Sequence, residues 1–437
     1  MSRRFKKILI QSAIAVGLIL AAAVAWGAWS AWIAGGRLNS RLDAIRAAGD
    51  PTSIADFGAP ELSREDDADA LLEQAAPGVA ALEKEMLKLY PKSGRPAGPL
   101  DADSLARLDA VFKAHPDVVP RLIEAASRAE YSHRFASTSH TTRFTQEVGD
   151  RTARFRSMIR ILASWSSVLR ARGDRDGAVA VAVASLRLSD DLGRDPGLMS
   201  TLAAIACGYV SVQDAAETLL SGPVSEESRR SLDAELGRFD APRLLTHALK
   251  TERAFSISSF REMPTAPIPF AGWLRDGAVL MILDLYEKEL EIVDLPYLKA
   301  KAASGAIAAQ LPLHPMRPMA TLLAPALQSL REAVVRQAAM ARSLRVLNAL
   351  QRTGAEAEPA DLASLSLPAE ATIDPFTEKP LIAKKRPDGW LVYSVGSDLA
   401  DDGGILEKVR DVGVGPVSAP AAGGNPSPGS SSPPASP

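Results

Sequence analysis

The stretch from Thr152 to Leu192, TARFRSMIRILASWSSVLRARGDRDGAVAVAVASLRLSDDL, decides the fold. Phe155, Met158, Ile159, Leu162, Trp165 and Leu169 recur three and four residues apart, the spacing of one face of an α-helix. Gly173-Asp174 interrupts the pattern as a turn would. A second helix is expected from Ala178 to Leu192, with Ala180, Val183, Ala184 and Leu186 facing inward and Leu188 extending that face. The chain is therefore read as mainly α. Aromatic residues make up only 5% while Ala, Leu and Arg recur throughout, which suits helices better than strands.

A Trp/Leu helix, a Gly-Asp turn and an Ala-rich helix together resemble a single tetratricopeptide-type hairpin. No second copy follows at a period of about 34, and one repeat cannot bury a solenoid core, so an irregular helical body is expected. Outward from the hairpin, Leu198 to Leu220, Ser225 to Arg238 and Arg243 to Arg261 read as further helices, as do Asp276 to Val293, Ser104 to Ala114 and Val118 to Arg128. Ser63-Arg-Glu-Asp66 reads as a capping box opening a helix that carries Leu71, Leu72 and Ala75 and ends near Pro77, with another helix from there to Leu89. Pro264 to Arg275 is a proline-broken loop, and the prolines between Leu311 and Pro318 end the body. Residues 61–325 are taken as this α-helical domain.

Residues 1–36 form a basic segment and an apolar span. MSRRFKK carries four positive charges and no acid, and Ile8 to Ile33 is uncharged. About 26 helical residues reach roughly 39 Å, enough for a hydrocarbon core of about 30 Å. Trp26, Trp29 and Trp32 sit where an interfacial belt would lie. The positive-inside rule puts Arg3, Arg4, Lys6 and Lys7 in the cytoplasm and the bulk of the chain in a periplasm-like compartment, as a single-pass protein of the inner membrane. A cleavable signal peptide is the alternative, with Ala23-Val-Ala25 as its small-x-small site, but the apolar run continues well past it. Residues 37–60 are expected to link anchor and body, and within them Asn39 to Ala48 continues a helical pattern up to Gly49-Asp-Pro51.

At the other end the pattern changes near Leu330. A helix through Arg331, Val335, Ala339 and Leu347 leads into Ile373-Asp-Pro-Phe-Thr-Glu-Lys-Pro-Leu381. Leu381 to Arg386 and Gly389 to Gly396 then read as strands joined at Pro387-Asp-Gly389. Asp374-Pro375, Pro380, Tyr393-Ser394-Val395-Gly396 and Asp398 resemble the C-terminal region of the major pseudopilins of type II secretion. The same ending is similar to that of uncharacterised membrane-anchored helical proteins from planctomycete-type bacteria. The resemblance implies a small α+β module over 330–414. It also implies a calcium loop in which Asp398 matches one ligand position, with Asp401 and Asp402 close enough to contribute, a solvated acidic turn being the alternative reading of the same residues. The pseudopilin leader is missing, because Lys7-Ile-Leu-Ile-Gln-Ser12 has neither the Phe-Thr nor the Glu of that processing site. Residues 415–437 are Pro, Ser, Gly and Ala without charge, a composition expected to be disordered.

Chemistry is sparse at this level. Lys+Arg number 50 and Asp+Glu 52, a net charge of −2 that points away from nucleic acid. Cys207 is single, so no intramolecular disulfide forms, and it lies in an apolar run as a buried cysteine does. His115, His133, His140, His247 and His314 show no metal-ligand spacing, and no nucleophile elbow or phosphate loop occurs. Glu130 to Arg156, rich in Arg and aromatics, reads as an anion-binding patch or as a helix face with snorkelling arginines. The expectation is an extracytoplasmic scaffold with an unidentified protein partner, held to the membrane through residues 8–33. The alternatives are an enzyme acting on envelope material and an accessory component of a type II secretion or pilus-like machine.

Overall fold

The computed structural model describes residues 3–58, 62–63, 66–96, 98–263, 271–311, 314–315, 317–354, 361–406 and 410–416. Helix α1 (Arg3–Ala47) is one continuous rod. The stretch Ile14–Ala47 is long and apolar enough to cross a membrane, and the body covers none of its most apolar window. Trp26, Trp29 and Trp32 stand exposed. Towards the C-terminal end of α1 one face changes character. Leu38, Leu42 and Ile45, spaced four and three apart, are buried against α10 (Ala271–Glu291). Arg41 clasps Asp284 at 2.6 Å and Glu287 at 2.7 Å. The helical stretch expected inside the 37–60 linker is thus a direct continuation of the apolar part of α1. It ends at Gly49, whose φ of +79° lets the Asp50 N–H return to the Ile45 carbonyl at 3.1 Å.

The body follows as α2 (Ala68–Leu89), α3 (Ala102–Ala114), α4 (Val118–Ser127), α5 (Thr141–Ala171), α6 (Arg175–Arg194), α7 (Leu198–Leu220), α8 (Glu226–Leu236) and α9 (Ala241–Glu262). Two expectations about α2 fail. Its N-cap is Asp67, accepting from the Asp69 N–H at 3.0 Å, while Ser63 donates its hydroxyl to Asp66. The helix also runs through Pro77, because Leu72, Ala75, Val79, Leu82 and Met86 form one buried stripe on both sides of it. Packing of that stripe outweighs the hydrogen bond that proline removes.

The α5–α6 hairpin turns at Gly173, φ +84°, and Asp174 caps α6 by accepting from the Gly177 N–H at 2.9 Å. Ala180, expected inside, is exposed. Helices α4, α5, α7 and α8 all pack on α6, so burial covers most of its circumference and Ala180 falls on the remaining outer strip with Asp176.

Helix α11 (Tyr297–Gln310) is not anticipated by the sequence reading, and α12 (Arg317–Arg352) starts earlier than expected, contains Pro325 and passes Leu330 unbroken. The three-stranded antiparallel sheet runs β1 (Ile382–Arg386), β2 (Gly389–Ser394), β3 (Val412–Val414), with Arg386 opposite Gly389 and Val392 opposite Val414. Strand β3 is an addition to the expected hairpin. Trp390, Val392 and Val412 share one core with Leu344 and Leu347 of α12 and with Val212 and Leu219 of α7. Of the loop expected from Pro264 to Arg275, residues 271–275 instead open α10, while 264–270 and the tail from 417 onward lie outside the described residues.

Candidate functional site

The first turns of α2 place Asp69 and Glu73 one helical turn apart on a single face. The segment between α4 and α5 lays Tyr131 and His133 over that face, α5 brings Arg151 up from beneath, and Asp195 closes the end of α6. Arg151, 2% exposed, is the hub. Its Nε donates to Asp195 at 2.6 Å, its Nη2 donates to Asp69 at 2.5 Å and to the Tyr131 hydroxyl, and its Nη1 lies 3.5 Å from Glu73. Tyr131 donates to Asp195 at 2.7 Å. His133 Nδ1 stands 2.7 Å from Asp69 Oδ2, and its Nε2 lies 3.8 Å from Glu147. Arg154 pairs with Glu73 at 2.9 Å.

Burial of such charges is costly unless each finds partners, and this network supplies them. Burial is the largest influence on the Asp69 carboxyl and pushes its pKa up, but the His133 hydrogen bond and the Arg151 charge outweigh it and hold Asp69 below its ordinary range. At Asp195 burial wins over Arg151 and the carboxyl rises. Burial also raises the Tyr131 phenol well above its usual value, so it serves as a proton donor.

Two clefts flank the elbow between α6 and α7, and Arg194 and His247 line both. One, of 440 Å³, is bounded by Asp50, Phe57, His133 and Lys250. The other, of 890 Å³, is bounded by Arg128, Arg187, Asp191, Arg238 and Arg243. Burial lifts Asp191 to about 7, with Arg194 at 3.7 Å opposing and Asp190, Asp195 and Glu235 adding to the rise. Burial lowers His247, whose Nε2 is 3.3 Å from the Asp195 carbonyl oxygen. A carboxyl that exchanges its proton near neutrality on a cleft wall is equipped for general acid or base work.

The turn that carries Asp398, Asp401 and Asp402 is tied by hydrogen bonds. Asp398 accepts from the Ala400 N–H at 3.1 Å, and Asp401 accepts from the Tyr393 hydroxyl and the Gly403 N–H, both at 2.8 Å. Asp402 is tied through its own N–H to Asp411, which also accepts from Gly404 and Ile405. Among the described residues, Asp398, Asp401 and Asp402 do not converge on a common ion position, whereas Asp69, Glu73 and His133 do. Asp398 and Asp401 each brace the turn by accepting from a backbone N–H two residues on. The expected Arg-rich patch over 130–156 is likewise partly interior, since Arg151 is buried and Arg154 is paired. Asp374 is also buried, where it accepts from the Phe376 N–H and the Ser394 hydroxyl, each at 2.8 Å, and joins the Asp-Pro turn to β2.

No protein-family model, curated protein or solved structure matches the chain.

Proposed function

We propose that this is a single-pass inner-membrane scaffold, with its N-terminus cytoplasmic and a helical body held at a set height on the periplasmic side to engage a protein partner. The carrying observation is α1, uncovered along its apolar span and then buried in the body through Leu38, Leu42 and Ile45 without any flexible interval. A docked rod transmits position and orientation, which a loose tether does not. The tetratricopeptide-like α5–α6 hairpin and the pseudopilin-like end belong to the same proposal, and the latter allows a place beside a secretion or pilus-like machine.

The test is crosslinking in native membranes followed by mass spectrometry, on the wild type and on a variant with a flexible Gly/Ser insert after Gly36. The expected result is one reproducible partner whose capture falls sharply in the insert variant. Capture of the chain alone removes the scaffold reading. The specific observation for an envelope-acting enzyme is Asp191 on the wall of the larger cleft. In that case Asp191→Asn abolishes turnover of an envelope polymer and leaves crosslinking unchanged.

A further inference from the structure

The geometry points to a divalent transition-metal site of the zinc class formed by His133 Nδ1 and the carboxylates of Asp69 and Glu73. One ligand atom from each of the three residues lies within 4.8 Å of the others. One imidazole and two carboxylates form a donor set that suits zinc, with bonds of about 2.0–2.2 Å, so small side-chain rotations close the triangle.

Charge supports the assignment. Asp69, Glu73 and Asp195 meet Arg151 and Arg154 at this cluster, Glu147 lies behind His133, and with the imidazole neutral the four carboxylates exceed the two guanidinium groups by two negative charges. A dication balances that excess. Arg151 bonds Oδ1 of Asp69, which leaves Oδ2 to the imidazole side.

The second observation is independent of the carboxylate count. His133 Nε2 is buried and has no hydrogen-bond partner among the described residues, an arrangement that carries a desolvation cost. With a metal on Nδ1, the ring proton resides on Nε2 and points towards Glu147, 3.8 Å away. Glu147 is itself fixed by accepting from the Ala136 and Ser137 N–H groups at 2.9 Å. A carboxylate behind a metal-bound imidazole fixes the tautomer and strengthens the ligand. His133 also lines the smaller cleft, and Glu73 is half-exposed, so the site can be reached from solvent.

The full-length chain, solubilised in detergent and stripped with chelator, is titrated with zinc and its metal content measured after dialysis. One zinc per chain is expected. His133→Gln and Glu73→Gln each weaken it at least about 100-fold, with metal-free melting of the Glu73→Gln protein at the wild-type temperature, and Glu147→Gln weakens it about 10- to 100-fold. Glu73 is half-exposed, so its variant tests the site where loss of His133 disturbs the fold. Absence of stoichiometric zinc in the wild type overturns the assignment. So does undiminished binding in Glu73→Gln.

Discussion

At the residue scale the molecule is organised around Arg151, whose partners Asp69 and Asp195 lie 82 and 44 positions away in sequence. Arg151→Met leaves two buried carboxylates without their guanidinium partner, and the loss is expected to be about 3–5 kcal/mol in denaturant unfolding, read as a lower midpoint. An unchanged midpoint would show that water already screens the cluster. Asp191 makes a second prediction. Its folded pKa of about 7 stands above the ordinary carboxyl value of 3.8, so the folded state holds its proton more tightly than the unfolded state. The associated stability is complete below the unfolded value and is lost as pH rises from about 4 through 7. At about 1.4 kcal/mol per pH unit this amounts to roughly 4 kcal/mol. Asp191→Asn should flatten the thermal-stability profile over that window and be the more stable protein at pH 8, which a melting series against pH checks directly. None of this was legible in sequence. His133 was set aside because no carboxylate lay at matching spacing, yet its partner Asp69 comes from another element, 64 residues earlier.

Elements were easier to read than residues, and the physical reason is local. Asp174 and Gly173 announce the α5–α6 turn because capping and a left-handed backbone are properties of the turn itself. The stripe from Phe155 to Leu162 is periodic because one face of α5 is buried there. The reading failed where packing overrode local chemistry. Pro77 and Pro325 sit inside helices whose buried faces hold them, and the buried stripe of α11, Tyr297, Ala300, Ser304 and Ile307, does not stand out because alanines lie on its other faces too. Strand β3 is three residues long and exists because Val412 and Val414 complete a face that β2 begins. The contact of α1 with the body is a prediction at this scale. Leu42 is 1% exposed, so Leu42→Ala should cost about 2–5 kcal/mol at the docked segment. Hydrogen exchange over 38–47 should accelerate while that of α6 stays slow. Protection unchanged at 38–47 would mean that Arg41 with Asp284 and Glu287 holds the helix without its apolar face.

At the scale of the whole molecule, the change of pattern near Leu330 suggests a module that folds by itself, and the structure joins what the pattern divides. Helix α12 carries the chain through that position, and the inner face of the sheet closes over α7 and α12. Periodicity reports which face of an element is apolar and is silent about which distant face will cover it. Ending the chain after Thr372 removes Phe376, Trp390, Val392 and Val412 from this core and exposes Leu344, Leu347, Val212 and Leu219 to water. A buried aromatic side chain alone is worth about 3–5 kcal/mol on truncation, against a total stability of about 5–15 kcal/mol for a typical protein. The truncated protein should therefore lose its near-ultraviolet circular dichroism and its cooperative melt while retaining most of its far-ultraviolet helix signal. A truncated body that unfolds in one transition at the wild-type temperature would show that the helices are self-sufficient and that the sheet merely rests on them. That outcome would restore the boundary at Leu330 and free the C-terminal module to act as a detachable contact with the partner.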